Sequence, residues 1–140
     1  MRILVDTNVF LDLLLDRNEE TGNKIEMFFD WCCYKKNRIY ITSMSLRDIE
    51  YTAHRYLHDK KKAKELQFAA YQMCSKIIGI SADSAIESLY SDVADYEDSL
   101  IIEAAKEEML DAIVTNNKKD FEKGDVPVFT PEEIVQFANQ

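Results

Sequence analysis

Met1-Arg2-Ile3-Leu4-Val5-Asp6-Thr7-Asn8-Val9-Phe10-Leu11-Asp12 opens with a short apolar, partly β-branched run, Ile3 to Val5, that shows no polar alternation. Such a run reads as a strand buried on both faces of a sheet. It stops at a carboxylate. Asp6-Thr7-Asn8 supplies helix-capping residues, and Val9, Phe10, Leu13 and Leu14 recur at helical spacing. Asp6 is therefore expected where a buried strand turns into a helix, the edge at which open parallel sheets bind ligands. No glycine-rich loop stands beside it. The edge presents an acid, which points to a metal site and away from a nucleotide cradle.

Working outward, the same pattern repeats. Glu19 to Lys36 reads as a helix with Ile25, Phe28, Phe29 and Cys32 on one side. Ile39 to Thr42 reads as a strand. Ser45 is the expected N-cap of a helix carrying Leu46, Ile49, Ala53 and Leu57, and a basic helix from Lys60 to about Ser75 follows. Ile77 to Ile80 reads as a strand, then Ser81 caps a helix with Ala85, Ile86 and Leu89 facing inward. The acidic knot Asp92 to Asp98 opens a helix carrying Leu100, Ile101, Ala104, Ala105 and Met109. Ala112 to Thr115 and Val126 to Phe129 complete the strands, Pro127 placing the last at an edge or an end. Thr130-Pro131-Glu132-Glu133 has the composition of a capping box. Strands alternating with helices predict an α/β fold, a sandwich around a mostly parallel sheet, with residues 1–140 as a single domain.

The bulk numbers narrow the function classes. A hydrophobic fraction of 46% with only three Gly and two Pro suits a packed core with short loops. No apolar segment approaches the roughly 20 residues of a membrane span, and no signal-peptide pattern precedes the first strand. A cytoplasmic protein that makes no membrane contact is expected. Cys32, Cys33 and Cys74 read as buried free thiols, since an odd set without C-x-x-C spacing makes a poor zinc site. The net charge of −9, from 26 acids and 17 bases, speaks against a general polyanion-binding module. It leaves open an enzyme whose acids surround divalent cations and whose bases are grouped elsewhere.

The acids recur at one kind of place. Asp6 follows the first strand; Asp48 falls in the first turn of the helix after the second; Asp98, with Asp95 and Glu97, opens a later helix; Asn117 and Asp120 follow the strand that ends at Thr115. In a parallel sheet those ends share one edge. Carboxylates gathered there repel one another unless a cation neutralises them. All-oxygen ligands suit Mg²⁺ or Mn²⁺, and the matching chemistry is phosphodiester hydrolysis. Structural readings stand beside this one. Acids in a first turn are favoured by the helix dipole; Ser45-x-x-Asp48 resembles a capping box, Asp95 suits a cap, and Asp120 suits a turn anchored by Phe121. His54 and His58 have i, i+4 spacing, but Arg55 stands where a zincin motif needs Glu. Lys60 to Lys64 reads as a solvated face or as a grip on a substrate backbone. Tyr51, Tyr56 and Tyr71 read as core or boundary residues.

Four segments in order carry a family likeness: Ile3-Leu4-Val5-Asp6-Thr7-Asn8-Val9-Phe10-Leu11-Asp12, then Ile41-Thr42-Ser43-Met44-Ser45-Leu46-Arg47-Asp48-Ile49, then Asp95-Tyr96-Glu97-Asp98-Ser99-Leu100, then Ile113-Val114-Thr115-Asn116-Asn117-Lys118-Lys119-Asp120-Phe121. Together they resemble PIN-domain proteins from Arg2 to about Thr130. The resemblance implies a metal-dependent ribonuclease acting on RNA, with VapC-like toxins paired to an antitoxin among its relatives. It implies an α/β/α sandwich, frequently a homodimer. By that resemblance Asp6 and Asp98 are central metal ligands and Asp48 stands where toxins commonly carry Glu, making Asp6, Asp48 and Asp98 the catalytic set. Asn8 orients ligands or water, and Glu97 and Thr115 support the site. Many toxins have Asp two residues after the Thr; here that place is Asn117, and Asp120 is the nearby substitute for a metal ligand. The expected function is a Mg²⁺- or Mn²⁺-dependent endoribonuclease. The alternatives are a PIN-fold interaction module, suggested by Asn117 and the charge of −9, and an aspartate-nucleophile phosphatase, whose D-x-D opening is broken by Asn8.

Overall fold

The strands are short because each crosses the core once and hands over to a helix. The computed structural model describes residues 1–140. In chain order the elements are β1 (Arg2–Val5), α1 (Thr7–Leu14), α2 (Glu19–Lys35), β2 (Arg38–Thr42), α3 (Ser43–Leu57), α4 (Lys60–Gln72), β3 (Lys76–Ile78), α5 (Ala82–Leu89), α6 (Tyr96–Glu107), β4 (Ala112–Val114), a 3-10 turn (Lys118–Phe121), β5 (Val128–Phe129) and α7 (Pro131–Ala138). The sheet has the order β3-β2-β1-β4-β5, and every pairing is parallel. β1 lies at the centre, Ile3 pairing with Ile39 on one side and Ala112 on the other.

Strand alternation splits the core in two. Ile3, Val5, Ile39, Ile41, Ala112 and Val114 face one side, packed with Phe10 of α1, Phe28 of α2, Ile49 of α3, Ala63 of α4 and Ile134 of α7. Leu4, Tyr40 and Ile113 face the other, against Ile101, Ile102 and Ala105 of α6 and Phe121 of the 3-10 turn. The result is the expected three-layer sandwich around a parallel sheet. The anticipated capping box is present: Thr130 Oγ1 accepts from the Glu133 N–H at 3.2 Å, and Glu133 Oε2 accepts from the Thr130 N–H at 3.0 Å. No helix is long and apolar enough to cross a membrane.

Several local expectations are corrected. Thr42, at the end of β2, is the N-cap of α3, its hydroxyl accepting from the Ser45 N–H at 3.0 Å. The strand therefore passes directly into the helix, and Asp48 lies in the second turn, outside any capping box. α4 stops at Gln72, since Ser75 already donates its N–H to Ile39 O of β2 at 2.7 Å. On α5 the inward positions are Ser84 and Ser88, while Ile86 and Leu89 are exposed. Both serine hydroxyls find partners, Ser84 across to α6 on Glu107 Oε2 at 2.7 Å and Ser88 within α5 on the Ser84 carbonyl at 2.8 Å. Met109 falls beyond α6, with φ of 52° and its side chain in solvent. Tyr51, Tyr56 and Tyr71 are all on the surface. All three cysteines are free, but Cys33 is exposed. Burial pushes the Cys32 and Cys74 thiols up to about 12, which keeps them unreactive.

Two glycines test the packing in opposite directions. A Cβ on Gly22, within α2, meets no atom within 4 Å, whereas one on Gly124 comes within 2.8 Å of the buried Ile102 side chain. Gly22→Ala is expected to raise unfolding stability by about 0.5–1 kcal/mol through the helix entropy term. Gly124→Ala is expected to lower it by about 1–3 kcal/mol through overpacking. Urea denaturation of the two variants checks both signs.

Candidate active site

The winding of the chain creates the crevice. From β1 it steps outward to β2 and β3, then returns to place β4 against the other side of β1. The β1–β4 seam is thus the switch point of the sheet, where ligands bind beyond the carboxyl ends of the strands. At that seam the Asp6 N–H donates to Val114 O at 2.9 Å. The Asp6 carboxylate, 6% exposed, accepts from the Thr7 N–H at 2.8 Å and from the Thr115 hydroxyl at 2.9 Å. Thr115 is itself buried, and its oxygen accepts from the Asn117 N–H at 3.0 Å. Burial is the largest influence on Asp6 and raises its carboxyl above the ordinary value; the two hydrogen bonds oppose it, and the charges of Asp120 and Asp12 add to it.

A cavity of about 310 Å³ opens at this point, lined by Asp6, Asn8, Asp48, Glu97, Asp98, Asn117 and Asp120 among others. The acids that the sequence placed at separate junctions therefore meet on one edge. Thr115 lines no part of the cavity but holds Asp6 from behind. Asp98 sits in the first turn of α6, with Asp95 capping the helix by accepting from the Asp98 N–H at 3.1 Å. Burial first, then the charges of Asp95, Asp6, Asp120 and Glu97, push the Asp98 carboxyl up to about 7. Asp48 differs from its neighbours, because its Oδ1 accepts from Arg47 at 2.9 Å. Asp120 and Asn117 are exposed, brought to the rim by the 3-10 turn in which the Asp120 N–H donates to Asn117 O at 3.0 Å.

Some participants were not singled out from sequence. The hydroxyls of Thr7 and Thr42 both reach Ser45 Oγ, at 2.8 and 3.0 Å, and tie the start of α1 to that of α3. Asp12, one helical turn and a half beyond Asp6, accepts from Asn116 at 2.6 Å and pairs with Arg17. The signal for the first group was available in the three-residue spacing of Thr42 and Ser45. Arg47 and Tyr51 also line the cavity.

The donor set decides what such a crevice fits. No three His, Cys, Asp or Glu side chains close around a single point tightly enough to hold an ion by themselves, and His54 and His58 are both exposed. The converging donors are all oxygens. A hard divalent cation that keeps several waters needs only one or two direct carboxylates, and the cavity has room for that hydrated form. The residues fit a hydrated Mg²⁺-like ion and do not fit a closed cage.

Fold and site together define a parallel α/β protein with an acidic crevice at its switch point. The PIN domain pattern matches residues 2–119, and the chain belongs to the PIN-domain family. Among solved structures it is similar to VapBC2 from Rickettsia felis bound to a promoter DNA fragment, at 20% identity and a TM-score of 0.69, covering 93% of this chain and 98% of that one. It is likewise similar to FitAB bound to a DNA fragment, at 20% identity and TM-score 0.73 over 94% and 96%. A toxin-antitoxin complex from Klebsiella pneumoniae matches at 24% identity and TM-score 0.65 over 94% and 98%. No curated protein matches the chain in sequence.

The raised carboxyls make stability depend on pH. An acid whose value rises on folding binds more protons native than unfolded, so stability falls as pH climbs from the unfolded value near 3.8 to about 7. Without divalent cations the protein is expected to melt lower at pH 8 than at pH 5, and Asp98→Asn to flatten that difference. Thermal melts of both proteins in chelator across this range check it; a wild type that gains stability toward pH 8 contradicts it.

Proposed function

We propose that the chain is a Mg²⁺- or Mn²⁺-dependent endoribonuclease that hydrolyses RNA phosphodiester bonds. The observation that carries this reading is the gathering of Asp6, Asp48, Glu97, Asp98 and Asp120 on one cavity, where burial and mutual repulsion lift Asp98 to about 7. The burial and like charge that raise Asp6 and Asp98 would be relieved by a cation among these acids. PIN domains are generally nucleases, which agrees.

Asp6 and Asp98 are the residues that would hold the ion. Asp48 would complete the set after exchanging its bond to Arg47, and Asp120 would support a second ion or a water. When bound, a divalent ion neutralises phosphate charge and lowers the pKa of a water. The chain's own part is positioning. Thr115 fixes the direction of the Asp6 carboxylate, and the Asn117 N–H fixes the Thr115 hydroxyl. Asn8 and Asn117 add neutral oxygens and amides at the same wall, while Glu97 deepens the negative potential. Asp98 would have to be ionised to hold the ion, so ion affinity is expected to rise with pH up to about 7.

The reading extends to the toxin of a toxin-antitoxin pair in the cytoplasm, with an antitoxin protein and a second copy of the chain as partners. Similarity to structures described as toxin-antitoxin complexes supports that extension. A second reading, an interaction module without nuclease activity, is favoured by Asn117 and by the open spacing of the acids.

Incubation of a mixed single-stranded RNA pool with Mn²⁺ separates the two. Wild type is expected to cleave, and Asp98→Asn to lose activity on the order of a hundredfold or more while staying folded. Equal background from both, together with no Mn²⁺ binding at millimolar concentration, would establish the interaction module instead.

A further inference from the structure

We propose that one face of α3, carrying Arg47, Tyr51 and Arg55 and continued by Lys60 and Lys64 of α4, is the track that grips the phosphate backbone of an RNA strand leaving the acidic crevice. The inference rests on the nuclease reading and adds the path of its substrate.

Arg47, Tyr51 and Arg55 stand four residues apart and so form one stripe along about 12 Å of helix. The Tyr51 ring sits between the two guanidiniums, whose central carbons lie 5.1 and 5.7 Å from its centroid. Cation-π attraction of that kind holds long arginine side chains in place and reduces the entropy lost when they bind phosphate. Arg47 is the joint of two concavities. It lines the acidic cavity with Tyr51, and it also lines an adjoining cleft of about 370 Å³ where Lys60 and Lys64 outnumber the single acid, Glu50.

The charge pattern is local and opposite to that of the whole. Residues 43–64 hold six cations, Arg47, Arg55, Lys60, Lys61, Lys62 and Lys64, against three acids, Asp48, Glu50 and Asp59, in a chain of net charge −9. Arg55, Lys60 and Lys64 form no ion pair, while Arg47 is paired with Asp48 at the mouth of the crevice. Unpaired cations beside a crevice that would take a phosphodiester match a polyanionic strand. An apolar protein segment has a better seat close by, the groove of about 620 Å³ lined by Leu46, Phe68, Tyr71 and Ile77.

The test is fluorescence anisotropy of a labelled single-stranded RNA with the full chain in chelator, where binding is read without cleavage, at several salt concentrations. Arg55→Gln and Lys64→Gln are each expected to weaken binding on the order of threefold and to flatten the salt slope by about 0.7. Tyr51→Leu should weaken binding with little change of slope, and Tyr51→Phe should restore it. Lys35→Gln, at the opposite edge of the sheet, should bind as wild type does. Wild-type binding that the track variants leave intact, with Mn²⁺ cleavage preserved, overturns the track and spares the nuclease reading. Neither binding nor cleavage by wild type overturns both. Variants that lose binding to poly-glutamate while keeping RNA would assign the face to an acidic protein and overturn the inference.

Discussion

The hydrogen bond from the Thr115 hydroxyl to the Asp6 carboxylate, 2.9 Å long, is where fold and site depend on each other. It joins the ends of β1 and β4, strands that are neighbours only because the chain reverses its direction of winding between them. A buried carboxylate is costly unless its lone pairs are met. Here both partners are neutral, the Thr115 hydroxyl and the Thr7 N–H. An arginine in their place would stabilise the charge better, but it would fill the crevice and cancel its negative potential. Neutral donors orient the acid and leave its charge unspent.

Asp48 makes the opposite arrangement at the same crevice, since it is paired with Arg47. The two carboxylates therefore differ in their surroundings: burial and like charge act against the ionised form of Asp6, whereas Asp48 already has a cationic partner. Exposed or half-exposed ion pairs of this kind are worth little. The pairing is thus compatible with exchange, and it keeps a cation close to where phosphate charge would enter. Asp95 shows a further economy of placement. It caps α6, which the helix requires, and its charge is the largest electrostatic contribution to raising Asp98.

Much of this was legible in the residues, for reasons that can be named. The apolar run Ile3 to Val5 admits only a buried strand, so the parallel sandwich followed. An acid at its end, repeated at later strand-to-helix junctions, placed the crevice without any knowledge of distances. What failed was the choice between neighbouring residues of similar chemistry. Thr42 and Ser45 both cap well, and only the reach of β2 to Thr42 decides between them. That shift of three residues moved Asp48 from the first turn to the second. On α5, apolar size misled: close packing on α6 selects Ser84 and Ser88 and turns Ile86 and Leu89 outward. Tyr51 was misplaced for a related reason, because an aromatic at helical spacing reads as core unless the charges flanking it four residues away on each side are weighed too.

Those flanking charges bear on how a protein of net charge −9 can be suited to a polyanion. Exposed charges more than a Debye length apart, about 8 Å in physiological salt, are largely screened from one another. A strand of RNA along α3, as proposed, would therefore respond to the residues beneath it far more than to the acids on the remote surface. Within the crevice the negative potential is a matter of a few carboxylates, and one divalent ion would offset part of it. The excess of acids elsewhere then acts against unspecific adhesion. Net charge, read over the whole chain, averages three surfaces of different purpose, and only their positions in the fold separate them.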